Sequence, residues 1–162
     1  MSIARSSLLF TLLLVAPWTQ AAEVLTQDSV KGLMESIFTN IAKRDPEGVT
    51  RNFTKDAHIK LDLPERLGGR LEMNIERYQA MLLQTFAITS DYESDVRNSK
   101  INISLDRRTA TVTDEVHEKM QVNGITIVST TAQTTSIVVD AGKPKVKTLY
   151  GHIKVAPPIA EG

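Results

Sequence analysis

The stretch "NFTKDAHIKLDL", Asn52 to Leu63, sets the reading of the whole chain. Phe53 closes a short helical segment, an Asp-Ala pair follows, and an alternation then begins. Ala57, Ile59, Leu61 and Leu63 point one way; His58, Lys60 and Asp62 point the other. Successive side chains of a strand leave on opposite faces, so this period of two predicts a strand with one buried face.

Upstream, Asp45-Pro46 starts the short helix, with Asp45 as its cap and Pro46 in its first turn. Before it, Val30, Leu33, Met34, Ile37, Phe38 and Ile41 recur at i, i+3, i+4 and i+7, the apolar stripe of an amphipathic helix. Asp28 is the expected N-cap, and Lys43 and Arg44 suit the helix's C-terminal dipole. Downstream, Pro64 and Gly68-Gly69 predict a loop. Asn74 then caps a third helix, whose apolar side is Ile75, Tyr78, Met81, Leu82, Phe86 and Ile88.

From Asp91 the pattern is β throughout. Tyr92 and Val96 are even-numbered, whereas Ile101, Ile103 and Leu105 are odd-numbered. A β-bulge around Arg97 to Ser99 accounts for the switch of parity. Asp106-Arg107-Arg108 turns the chain, and Ala110, Val112, Val116 and Met120 define the next buried face. Asn123-Gly124 is a strong hairpin signal. A threonine-rich strand, Ile125 to Val139, a turn from Asp140 to Pro144 and a last strand, Lys145 to Val155, complete the order. The expected fold is α+β: three helices with one strand between them, then four antiparallel strands, long and bent enough to wrap the helices and leave a cavity.

The first 21 residues stand apart. Arg5 precedes an apolar run from Leu8 to Ala16, and Thr19-Gln20-Ala21 is a small-x-small cleavage signal. This is the anatomy of a secretory signal peptide, and the run is too short for the ~20 residues of a stable membrane anchor. With no cysteine, the chain has neither lipobox nor disulfide. The expected address is the bacterial periplasm or the exterior, through a Sec-type signal. The remainder is one domain, residues 22–155, with a disordered tail at 156–162. The 19 basic and 19 acidic residues offer no excess charge for nucleic acid or an anionic membrane.

Two segments carry a family resemblance. "KRDPEGVTRNFTKDAHIKL", residues 43–61, and "GGRLEMNIERYQAMLLQTF", residues 68–86, resemble the nuclear transport factor 2-like superfamily, which includes ketosteroid isomerases, SnoaL-like cyclases and scytalone dehydratase. The resemblance covers about Asp28 to Val155. It implies a cone-shaped curved sheet wrapped around three helices, a pocket at the wide end and frequent dimers through the sheet. In the ketosteroid isomerases a carboxylate after the "DA" strand start takes a proton beside a carbonyl, and a tyrosine and a second acid hold the oxyanion. Asp62 is nearest to the base position, displaced by one residue. Ile37 or Phe38 occupies the tyrosine's place, and Asp114 stands for the second acid. The motifs belong to the fold and not to a reaction.

Two aspartates are therefore candidate catalytic residues. Asp62 is a general base or part of the polar outer face between Lys60 and Glu65; the alternation favours the outer face. Asp114 and Glu118 share parity with Val112, Val116 and Met120, so a regular strand turns both toward the apolar side. Desolvation there raises a carboxyl pKa, which suits a general acid or base. Phe38, Tyr78, Met81, Leu82, Phe86, Val112, Val116 and Glu118 are the expected pocket. Thr126, Thr130, Thr131, Thr134 and Thr135 are expected on an exposed face that pairs two copies. His58, His117 and His152 lack metal-ligand spacing, so no metal and no cofactor are expected. Three functions fit: binding of a small apolar molecule in an accessory role; an isomerase, dehydratase or cyclase with an aspartate base; or an interaction module working through its sheet.

Overall fold

The computed structural model describes residues 24–157. The signal segment at 1–21 and the tail from residue 158 onward lie outside the described residues. Three helices come first: α1 (Gln27–Ala42), α2 (Pro46–Thr50) and α3 (Ile75–Ile88). The strands are β1 (Phe53–Asp62), β2 (Arg70–Met73), β3 (Thr89–Ile103), β4 (Thr109–Val122), β5 (Ile125–Asp140) and β6 (Lys143–Val155). They form one sheet in the order β2-β1-β6-β5-β4-β3. β1 runs parallel to β6, and every other neighbouring pair is antiparallel.

The helix starts follow local chemistry. α1 is capped by Thr26, not by Asp28: Thr26 and Ser29 exchange side-chain bonds to each other's backbone N–H, and Asp28 falls inside the first turn. Lys43 and Arg44 lie just past the helix, and Arg44 reverses the chain at φ 56°. Asp45 caps α2 as expected, its carboxylate accepting from the Gly48 N–H at 2.8 Å. Gly48 is required there, because a Cβ would sit 2.3 Å from that carboxylate. Asn74 caps α3 by accepting from the Arg77 N–H.

β1 begins at Phe53, earlier than the alternation indicated, and buries Ala57, Ile59 and Leu61. One strand was not anticipated. After a 3-10 turn at Glu65–Leu67, Arg70–Met73 folds back on β1 with Leu71 opposite Leu61. Two strands therefore separate the helices, and the sheet has six. The β3 bulge is where the parity switch predicted it: Arg97 pairs with Glu115 and Lys100 with Thr113, leaving Asn98 and Ser99 opposite Asp114 alone. Asn98 takes φ 55° to accommodate it. Asn123-Gly124 makes a tight turn with both φ positive, at 52° and 80°. Ala141-Gly142 does the same, which lets β6 begin at Lys143, two residues earlier than expected.

The core lies between the helices and the inner face of the curved sheet. Val30, Val49, Ile59, Val112, Ile137 and Val146 are sealed from water. Each such side chain is worth roughly 1.5–3 kcal/mol of burial. Leu25, just before α1, is buried as well, held by its N–H to the Arg107 carbonyl and by the Arg107 guanidinium to its own carbonyl. Four of the five threonines of β5 divide by parity, and the fifth, Thr126, is even-numbered yet buried near the start of the strand. Thr131 and Thr135 are only 7% and 1% exposed and face inward, whereas Thr130 and Thr134 face outward. The five do not make one exposed face, because residues one apart on a strand leave on opposite sides.

Among the described residues, no helix is long and apolar enough to cross a membrane.

Candidate functional site

The inner face of β4 passes two cavities. The main one, of about 310 Å³, lies between α3 and the inner faces of β3 to β6, with the β1–β2 hairpin closing its side. Phe38 and Ile41 reach it from α1; Tyr78, Met81, Leu82 and Phe86 reach it from α3. These are the same side chains that give the helices their apolar stripes, and the cavity is the space the curved sheet leaves beneath them. Val116 and Glu118 come from β4, and Ser129, Thr131 and Gln133 from β5. Seven of the expected pocket residues thus line it: Phe38, Tyr78, Met81, Leu82, Phe86, Val116 and Glu118. Val112 does not; it shares their strand face but lies farther along it, 1% exposed in the packed core.

The polar groups of the main cavity gather on Glu118. Tyr92, from β3, donates its hydroxyl to one carboxylate oxygen at 2.6 Å. Ser129, the cross-strand neighbour of Glu118, donates to the other at 3.3 Å. Burial, and then the Glu118 charge, push the Tyr92 hydroxyl far above the usual phenol range, so Tyr92 keeps its proton. The same two causes raise Tyr78, which is fully enclosed. Among the described residues that line this cavity, Glu118 is the one charged side chain. Tyr92 was read from the sequence only as inward-facing. The signal for its role was its even parity on β3, which places it opposite Met120, one step from Glu118 on the same face.

Asp114 belongs to the second cavity, an open cleft between α1 and the bulged edge of the sheet. Lys31, Glu35 and Thr39 of α1 line it, with Val96, Ser99 and Ile101 of β3. Phe38 borders both cavities and separates them. Asp114 is 6% exposed, and its Oδ1 is buried without a hydrogen-bond partner. Desolvation pushes its carboxyl up to about 6. The inward parity read from the sequence holds, but the acid does not reach the main cavity.

Asp62 lies on the outer face. Arg70 donates to it at 2.8 Å across the β1–β2 pair, and the Tyr150 hydroxyl donates at 2.6 Å from β6. The Arg70 and Tyr150 bonds hold its carboxyl down at about 2. A carboxylate so engaged is a weak base, and it lies outside the lining of either cavity. Among the described residues, no group of three or more histidine and carboxylate side chains is placed to hold a metal ion.

No protein-family model and no curated protein matches the chain. Solved structures do match over most of its length. A scytalone dehydratase-like protein from Novosphingobium aromaticivorans superposes with a TM-score of 0.66 at 12% identity, covering 83% of this chain and 87% of that one. The hexachlorocyclohexane dehydrochlorinase LinA-type3 from Novosphingobium barchaimii gives 0.68 at 13% identity, with 83% and 90% covered. An NTF2-like protein from Cytophaga hutchinsonii gives 0.64 at 16% identity, with 79% and 98% covered. Likeness at such identities is likeness of fold, and the six-stranded sheet curved around three helices is the nuclear transport factor 2-like cone fold.

Proposed function

We propose that this chain binds a small apolar molecule in its main cavity. The observation that carries the reading is a concave space of about 310 Å³, walled by aromatic, methionine and leucine side chains and furnished with one convergent polar cluster. Ligand pockets have this make-up and run from roughly 300 Å³ upward. Val116→Phe tests it, because the larger ring projects into the void rather than into packed core. Native mass spectrometry of the wild-type protein is expected to show a co-purified or added apolar ligand, and the Val116→Phe protein, still folded, is expected to lose it. Equal retention by the filled variant would refute the reading. Ala110, on the same strand face, is unsuitable for such a test, since it is buried in the core and does not line the cavity.

Glu118 favours catalysis as a second reading. A carboxylate facing an apolar cavity beside two protonated tyrosines has the parts for moving a proton and stabilising the charge left behind. Two structural neighbours carry the names of a dehydrochlorinase and a dehydratase. In this chain such chemistry falls to Glu118 rather than to Asp114 or Asp62. Turnover of carbonyl-activated C–H substrates that survives Glu118→Gln unchanged would remove that assignment.

Export and pairing of two copies through the outer sheet face rest on the sequence. The N-terminal residue of the secreted chain tests the first. The mass in solution of a Thr134→Glu variant tests the second.

A further inference from the structure

We infer that the molecule held in the main cavity is a compact apolar amine in its protonated form, anchored on Glu118; this rests on the ligand-binding reading above and names its chemical class. The cavity poses a charge problem. Its lining is aromatic and aliphatic except for hydroxyls, one amide and Glu118, and none of the lysines, arginines or histidines among the described residues lines it. Tyr92 and Ser129 both place hydroxyl donors on Glu118, one at each oxygen, an arrangement that suits a carboxylate acceptor.

Those two donors solvate the anion only in part. An ionised carboxylate offers about four lone-pair sites, so places remain open on the cavity side. A charge in apolar surroundings without a countercharge is costly. A neutral apolar ligand filling the cavity would displace water from Glu118 and make that cost larger. A ligand bearing an ammonium group removes it, because the N–H donors meet the open lone pairs and the charges cancel at short range. The rings of Tyr78 and Tyr92 lie in the same lining, and aromatic rings attract cations. Other acids near the cavity do not compete for the ammonium. Asp114 lies beyond Phe38, and Asp62 is held by Arg70 on the outer face.

The experiment uses a matched pair of probes, naphthylmethylamine and naphthylmethanol, which share an apolar body and differ in the charged head. Dissociation constants are measured by calorimetry at neutral pH on the exported form of the protein and on its Glu118→Gln variant. The amine is expected to bind the wild-type protein at least about tenfold more tightly than the alcohol, as a charge-assisted bond in place of a neutral one implies. In Glu118→Gln the two are expected to bind alike. Equal or tighter binding of the alcohol to the wild-type protein would overturn the amine assignment and leave the cavity as a binding site. Binding of neither probe would overturn both readings. An amine preference that persists in Glu118→Gln would overturn Glu118 as the anchor. The wild-type comparison decides the ligand class even where the variant folds poorly.

Discussion

The two faces of the sheet treat a carboxylate in opposite ways. Asp62, on the outer face of β1, is bound by Arg70 and Tyr150 and is held down at about 2. Asp114, on the inner face of β4, has an oxygen with no partner and is pushed up to about 6. Residue type is the same in both, and strand geometry is similar. What differs is whether donors or apolar side chains stand where water was. Glu118 is a third case, inward like Asp114 but with each oxygen accepting a hydroxyl proton. The comparison shows that inward parity alone does not make a working acid; the hydrogen-bond donors supplied by the neighbouring strands decide what an inward carboxylate becomes.

Three substitutions test this contrast, in order of decreasing effect. Ile59→Ala on the inner face of β1 removes a side chain with no exposure and leaves a void in the core. A loss of roughly 2–5 kcal/mol in denaturant unfolding is expected. Lys60→Ala, one residue on and turned outward, is the control and is expected to change little. A small loss for Ile59→Ala would mean that the inner face is not the stabilising one.

Asp114 comes next. Its carboxyl binds a proton more tightly in the folded chain than in the unfolded one, where the ordinary value is 3.8. Its cost is therefore absent below about pH 4 and complete above about pH 6, and stability falls as pH rises between them. Asp114→Asn is expected to remove a fall of up to about 3 kcal/mol across that window, read from chemical unfolding at several pH values. An unchanged slope would mean that Oδ1 finds a donor in solution.

Asp62→Asn should show the smallest effect and the opposite sign. A carboxyl held down by its partners stabilises the fold above about pH 4 and loses that contribution as pH falls toward 2. Because the pair is solvent-exposed, a slight destabilisation at neutral pH is expected, vanishing in acid, with ligand binding in the cavity unchanged. Altered ligand binding would place Asp62 in the site after all.

Much of this architecture was legible in local signals. Alternation from Ala57 to Leu61, the Asp45-Pro46 start, the Asn123-Gly124 turn and the parity switch at Arg97 to Ser99 each depend on neighbours within a few residues. β2 was hidden because four residues with apolar groups only at Leu71 and Met73 give little period, and its pairing with β1 follows a glycine turn rather than its own pattern. The threonine-rich composition of β5 suggests one exposed face, but alternation along the strand sends neighbouring threonines to opposite sides. The site was half legible. Parity on β4 turned Asp114 and Glu118 inward, and the apolar stripes of α1 and α3 supplied most of the lining. No local pattern shows that Phe38 stands between the two acids, or that Tyr92 and Ser129 meet at Glu118. Those facts depend on how β3, β4 and β5 register and on where α1 crosses them.

The parallel pairing of β1 with β6 has a consequence for how the molecule assembles. It sets Phe53 opposite Val146 and Asp62 opposite His152, joining segments far apart in the sequence. The antiparallel β3–β6 meander can zip from its own tight turns, whereas this seam must close a long loop first, and contacts of high sequence separation form slowly. Leu61, Leu63 and Leu71 reach the cavity wall through that seam. Glu118, Tyr92 and Ser129 all belong to the meander, whereas Leu61 and Leu71 come to the cavity from the far side of that seam. A ligand that binds only the closed form favours that seam by mass action, so the stability of the fold is expected to rise with the concentration of the molecule the cavity holds.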